Sequence, residues 1–317
     1  MNSRKTLLTV WMLGGMVLAG LTGCSGDDET TAAPDDGVRV RRVTITESED
    51  AAAARQAVTR ATLNDGGGVT RATLTDGDGL TASWTAGDGL TYCNLSRTQS
   101  DGSTPYSGPL TAATTARASQ FTGDVACRQG DYLAVVYPAT TFSTNTGYSI
   151  TLSGQDGTLG GLAKRFHHVF GKAQVTEVTD QTATATIGRM KSLLTVCKFS
   201  FVDKDGGAEV PVKSLVIGYG GTGTDANTYP QSATVAIDVL TAQADVHAAG
   251  VASSEALTVT CPTALSAVYV ALLPTAAERT YRFTVTDGSG NTYKGSAKAT
   301  LAEGEYVVAE GLRLTKQ

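Results

Sequence analysis

The chain has 317 residues, 41% of them apolar and 17% charged, with a formal net charge of −5. That balance excludes the basic footprint of a nucleic-acid-binding protein, and the apolar share is enough for a folded core. Five cysteines without close pairs exclude a zinc ribbon or a dithiol redox motif.

The first element in chain order is a targeting segment. Arg4 and Lys5 precede an uncharged apolar run over residues 7–21, which is too short for a comfortable permanent span and reads as a signal peptide. The run ends in Leu21-Thr22-Gly23-Cys24, which resembles a lipobox and implies acylation of Cys24 after removal of residues 1–23. That removal takes two bases and no acid, so the charge goes from −5 to −7. Several acyl chains give a durable membrane anchor where one is marginal. The acidic cluster Ser25-Gly26-Asp27-Asp28-Glu29 opens a tether, residues 24–37, whose composition cannot support a core. Such a cluster resembles the surface-export signal of Bacteroidetes lipoproteins, which implies display on the outer face of the cell outer membrane.

A β-prone segment, residues 38–46, carries Val38, Val40, Val43 and Ile45 among arginines. Beyond it Val58-Thr59-Arg60-Ala61-Thr62-Leu63 recurs as Val69-Thr70-Arg71-Ala72-Thr73-Leu74, a duplication far shorter than a solenoid period. From there short β-branched and aromatic runs alternate with Gly, Asp, Ser and Asn clusters, predicting strands over 80–84, 90–95, 132–137, 148–152, 183–187, 193–202, 212–217, 234–239, 257–261, 267–273, 281–286, 292–297 and 306–314. Brief helical turns are expected only within 162–173 and 190–194. The class is therefore all-β, with about seven strands in each of two tandem sandwich domains, residues 38–188 and 189–317. Strand parity turns Cys197 and Cys261 to the core. Disulfides Cys93–Cys127 and Cys197–Cys261 are open to it in an oxidising location.

Local patterns for chemistry are weak. The glycine loop Gly218-Tyr219-Gly220-Gly221-Thr222-Gly223 lacks a following helix, and Asp76-Gly77-Asp78-Gly79 lacks the late bidentate acid of a calcium loop. His167 and His168 are adjacent and point apart, with only His247 elsewhere. No cofactor, metal or catalytic residue is expected. A glycan-binding surface lipoprotein is the rival reading, with Tyr106, Tyr219 and Tyr229 as candidate exposed platforms, because Trp84 alternates with Leu80 and Ala82 as a core residue does.

One ordered set of motifs remains. Lipobox and acidic tether are followed by arginines, Trp84-Thr85-Ala86-Gly87-Asp88, Phe121-Thr122-Gly123, Gly130-Asp131-Tyr132 running to Tyr137-Pro138, Met190 to Phe201, and Gly304-Glu305-Tyr306. In this order they resemble the fimbrillin family of Bacteroidetes type V pili and its anchor and tip relatives. The resemblance implies two transthyretin-like sandwiches and assembly by strand exchange. A protease cuts after an arginine, an N-terminal strand leaves, and another subunit's strand fills the groove. On that view residues 38–46 are the removable strand, and Arg60 and Arg71 are the leading cleavage sites, with Arg55 third. The implied partners are other pilus subunits and a host or bacterial surface receptor.

Overall fold

The computed structural model describes residues 37–47, 73–76, 80–219, 228–248 and 255–317. The strands of the first half are β1 (Arg39–Glu47), β2 (Thr73–Asp76), β3 (Leu80–Ser83), β4 (Gly89–Thr98), β5 (Pro105–Ala112), β6 (Gln120–Cys127), β7 (Tyr132–Tyr137), β8 (Gly147–Thr151), β9 (Val169–Val178), β10 (Thr182–Ile187) and β11 (Lys191–Ser192), with one helix, α1 (Leu159–Arg165). Those of the second are β12 (Thr195–Asp203), β13 (Val212–Tyr219), β14 (Ser232–Asp238), β15 (Gln243–Ala248), β16 (Leu257–Leu265), β17 (Val268–Leu272), β18 (Arg279–Asp287), β19 (Thr292–Ala299) and β20 (Tyr306–Lys316). The protein is all-β, as the alternation of short β-prone runs with turn clusters predicts. Period-two alternation is the local cause: in β10 the three buried residues are Ala183, Ala185 and Ile187, with threonines between them facing solvent.

The first sheet runs β10-β1-β6-β5-β4-β7-β9, and β9 pairs back onto β10, so seven strands close into a ring. β11 continues along the same edge of β9. The second sheet runs β16-β13-β18-β19-β20-β12-β17. Matching β1, β4, β5, β6, β7, β9 and β10 in turn to β12, β13, β16, β17, β18, β19 and β20 superposes every pairing of the second sheet on one of the first. The parallel pair joins first and last strand in both cases, β1 with β10 and β12 with β20. The two halves are thus one seven-strand topology used twice.

Two apolar cores result. One fills the ring, with Val43, Ile45, Trp84, Leu90, Phe121, Val135 and Met190 among its members. The other lies on the second sheet and also takes residues from the outside of the ring, including Cys93, Leu95, Ala134, Phe166 and Phe170. Strand β4 is therefore buried on both faces over Leu90–Leu95 and loses the clean alternation of a half-exposed strand. A small third sheet, β15-β14-β8, pairs the hairpin of the second half with β8 of the first.

Several expectations need correction. The helix occupies Leu159–Arg165, capped by Thr158 whose hydroxyl accepts from Gly161 N at 2.9 Å, and β9 begins at Val169 inside the stretch expected to coil. Residues 190–194 hold β11 in place of a helical turn. The strands β5 and β6 were not foreseen because Pro105, Gly108, Pro109 and Gly123 read as turn residues. They are tolerated because β5 and β6 meet at only two residue pairs, and a Cβ on Gly123 would stand 2.5 Å from Pro109 O. All four described cysteines are free and buried, so neither disulfide is formed. Cys93 and Cys127 belong to different cores. Burial pushes the Cys93 thiol up to about 12.

Candidate functional site

The residue set most open to a function is the slot occupied by β1. This strand lies parallel to β10 over Arg42–Glu47 and antiparallel to β6 over Arg39–Thr46. Lifting it out would bare main-chain edges on both flanks, which are costly to leave unpaired. Its odd-numbered residues Arg41, Val43, Ile45 and Glu47 face inward. Val43 and Ile45 are fully buried in the ring, whereas Val40 points outward and is 68% exposed. The expected segment 38–46 thus coincides with β1 to within a residue at each end, but its four apolar residues do not share one face.

Each end of the inward face is polar. Arg41 Nε donates to Thr179 O at 2.7 Å, and its Nη1 donates to Cys127 O and to Arg39 O. At the other end the Trp84 indole N–H donates to Glu47 Oε2 at 3.0 Å. Trp84 also packs edge-on against Phe121 and Tyr137, with centroids 4.9 and 5.6 Å away. Trp84 sits in the ring core, while Leu80 and Ala82 sit in the other, because β3 ends at Ser83 and the chain turns. Burial raises the Cys127 thiol to about 11, with Arg41 pulling against it. Outward, Arg39 and Arg42 make exposed ion pairs with Asp180 and Asp124 at 3.4 and 3.5 Å, contacts of small energetic weight.

The sequence motifs have structural work. Gly87, Gly130 and Gly304 all adopt positive φ, and the acid after each accepts from a backbone N–H three residues before it: Asp88 from Thr85 at 2.7 Å, Asp131 from Arg128 at 3.1 Å and Glu305 from Ala302 at 2.8 Å. These turns start β4, β7 and β20. Asp131 is also bound by Arg97 at 2.8 Å and Asn94 at 2.9 Å. Cys24, Arg55, Arg60 and Arg71 lie outside the described residues, as do most of the glycine loop after Tyr219 and the turn at 77–79. Arg41, Glu47 and Trp84 are the site residues that sequence reading missed as a set. The spacing Arg41-x-Val43-x-Ile45-x-Glu47 is the signal that could have found them.

A second opening lies in the other half. β19 pairs with β20 only at Tyr293–Lys316 and Lys294–Thr315, whereas its counterpart β9 holds β10 over five pairs. The strands then diverge around an apolar cavity of about 610 Å³ lined by Phe199, Phe283, Tyr281, Val308 and Leu312 with Lys298 and Glu310.

No family model matches the chain. Comparison with curated proteins likewise returned no match. Among solved structures, it is similar to a candidate cell adhesion protein from Bacteroides ovatus ATCC 8483, with 11% identity, a TM-score of 0.49, and coverage of 88% of this chain and 96% of the other. A candidate cell adhesion protein from Bacteroides fragilis NCTC 9343 gives 10% identity, a TM-score of 0.43, and coverage of 87% and 97%. The shaft pilin SpaA of Lactobacillus rhamnosus GG gives 11% identity, a TM-score of 0.32, and coverage of 88% and 98%.

The tyrosines named as glycan platforms do not form one. Tyr229 is fully buried, its hydroxyl accepting from Leu273 N at 2.8 Å, and Tyr219 packs edge-on against it at 4.9 Å. Tyr106 is half-buried on β5. Both His167 and His168 are buried, and no group of three metal-capable side chains occurs among the described residues. No helix among those residues is long and apolar enough to cross a membrane.

Proposed function

We propose that this chain is a surface-displayed lipoprotein, acylated at Cys24 and held in the outer membrane, that serves as a non-catalytic structural or accessory subunit of an adhesive pilus. Residues 38–188 and 189–317 are its two domains, and other subunits join it by strand exchange at the slot of β1. The observation that carries this reading is a contrast between equivalent strands. β12 leads to β13 through residues 204–211, whereas β1 is separated from the rest of its sheet by residues 48–88, which include Arg60 and Arg71 and the small hairpin β2-β3. A single cut after either arginine severs β1 from all the strands it pairs with. An uncut chain keeps β1 and its lipid and suits an anchoring position, while a cut one offers a vacant slot.

Trypsin treatment of the folded precursor, followed by sequencing of the new N-terminus, tests this. The expected product begins at Ala61 or Ala72 and forms ladders of oligomers. Cleavage scattered through the sheets, or a trimmed product that stays monomeric with β1 in place at all concentrations, counts against it. A Cys24→Ala variant is expected to leave the membrane fraction with its fold intact; retention after a carbonate wash removes the lipid anchor from the proposal.

A further inference from the structure

Resting on the strand-exchange reading, we propose that the slot between β6 and β10 selects its occupant by charge at two positions. It accepts an extended segment with a cation, two apolar residues and a carboxylate at alternate positions, the pattern Arg41-x-Val43-x-Ile45-x-Glu47.

The case begins with what the empty slot leaves behind. Its apolar middle, where Val43 and Ile45 sit, would take many β-strands, since apolar contact is non-directional. Its two ends would not. At one end the carbonyls of Thr179 and Cys127 converge on Arg41, with Thr179 O 2.7 Å from Nε. At the other the Trp84 indole N–H, on a fully buried side chain, meets Glu47 Oε2 at 3.0 Å. A strand carrying leucine at both places takes the side-chain partner from the buried Cys127 carbonyl and from the buried Trp84 indole N–H, while the exposed Thr179 carbonyl can turn to water. Stranding a buried polar group costs more than the bond itself is worth. A shift of β1 by two residues would carry Arg41 to the place of Val43 or Glu47 to the place of Ile45, a charge in the apolar middle, so the pattern also fixes register.

The equivalent strand of the other half shows that this face is not a requirement of the topology. β12 presents Cys197, Phe199 and Phe201 inward and has no charged residue among its buried positions. β12 is a permanent strand. β1 has an inward face half charged, which keeps it soluble outside the sheet and specific within it. The strand β20 (Tyr306–Lys316) does not carry the pattern within its length: its one acid, Glu310, comes before its cations, Arg313 and Lys316. The occupant supplied by a partner is therefore a segment other than β20, basic at its start and acidic six residues on.

The test uses the full chain with a specific protease site placed within residues 48–72, cut after folding, and synthetic peptides spanning residues 37–50 as probes. Replacement of resident β1 is read by mass spectrometry and by the fluorescence of Trp84, which is the sole tryptophan beyond Trp11. The native peptide is expected to enter, and peptides with Arg41→Leu or Glu47→Leu to bind at least tenfold more weakly. Glu47→Gln, which keeps an acceptor without the charge, is expected to recover only part of the loss, because a charged acceptor holds the indole N–H more strongly; full recovery would overturn selection by charge at that end. Arg42→Leu, which removes an exposed charge, serves as the control and binds like the native peptide. Equal binding by all the peptides overturns the charge code and leaves strand exchange standing. If even the native peptide never replaces β1, strand exchange itself fails and the code with it.

Discussion

At the scale of the residue, the acids that follow the three positive-φ glycines are the clearest link from sequence to structure. Asp131 is nearly inaccessible and holds Arg97, Asn94 and the Arg128 backbone together. Replacing it with alanine strands a buried network, and Asp131→Ala is expected to cost about 3 kcal/mol in urea unfolding. Asp88, which is less enclosed, is expected to cost about 1 kcal/mol on the same substitution, as a lost cap does. His168 makes a second case. Burial lowers its pKa from 6.5 to about 4, so the unfolded chain takes up a proton at a higher pH than the folded one. The stability tied to its neutral form is present above pH 6.5 and lost as pH falls toward 4, a change of about 3 kcal/mol. A His168→Phe variant is expected to flatten that part of the stability profile, measured as urea midpoint against pH.

At the scale of the element, β1 was legible as a strand but not as a face. Counting Val38, Val40, Val43 and Ile45 finds the segment, yet strand parity allows only two of the four to share a side. The inward arginine and glutamate share the parity of Val43 and Ile45 and could be picked out by it, but their partners, Cys127, Thr179 and Trp84, are distant in sequence and could not. Stability follows the observed parity. Ile45→Ala, at a fully buried position, is expected to cost about 3 kcal/mol, whereas Val40→Ala is expected to stay within about 0.5 kcal/mol. Chemical denaturation of both variants checks the difference. The strands β5 and β6 were hidden for another reason: glycine and proline signal a turn locally, and only the sheet reveals where the ladder is short enough to admit them; β9 was hidden because its start falls in the stretch expected to coil.

At the scale of the molecule, the all-β class could be read from the alternation of β-prone runs and turns, whereas the expected seven or so strands per half match each main sheet but not the eleven and nine described strands of the two halves. The duplicated topology could not, since no repeated residue pattern marks it and only pairing partners define it. Nor could the β8–β14 ladder, which ties the hairpin of one half to a strand of the other. One core takes residues from both halves, so a single cooperative transition is expected in calorimetry. Gly147 gives a handle on that coupling, because a Cβ there would lie 2.4 Å from Val235 O. Gly147→Val is expected to break the ladder and split the transition into two; one unsplit, unshifted peak would show that the ladder is not what couples the halves.

The slot of β1 is flanked by a parallel neighbour on one side and an antiparallel one on the other. A guest strand entering backwards would exchange those relations and bring its acid to the carbonyls and its cation to the indole. Under the proposed strand exchange, insertion would therefore have a single sense, and subunits linked in this way would all point alike. A fibre so built would be a vector, with a tip that differs from its root.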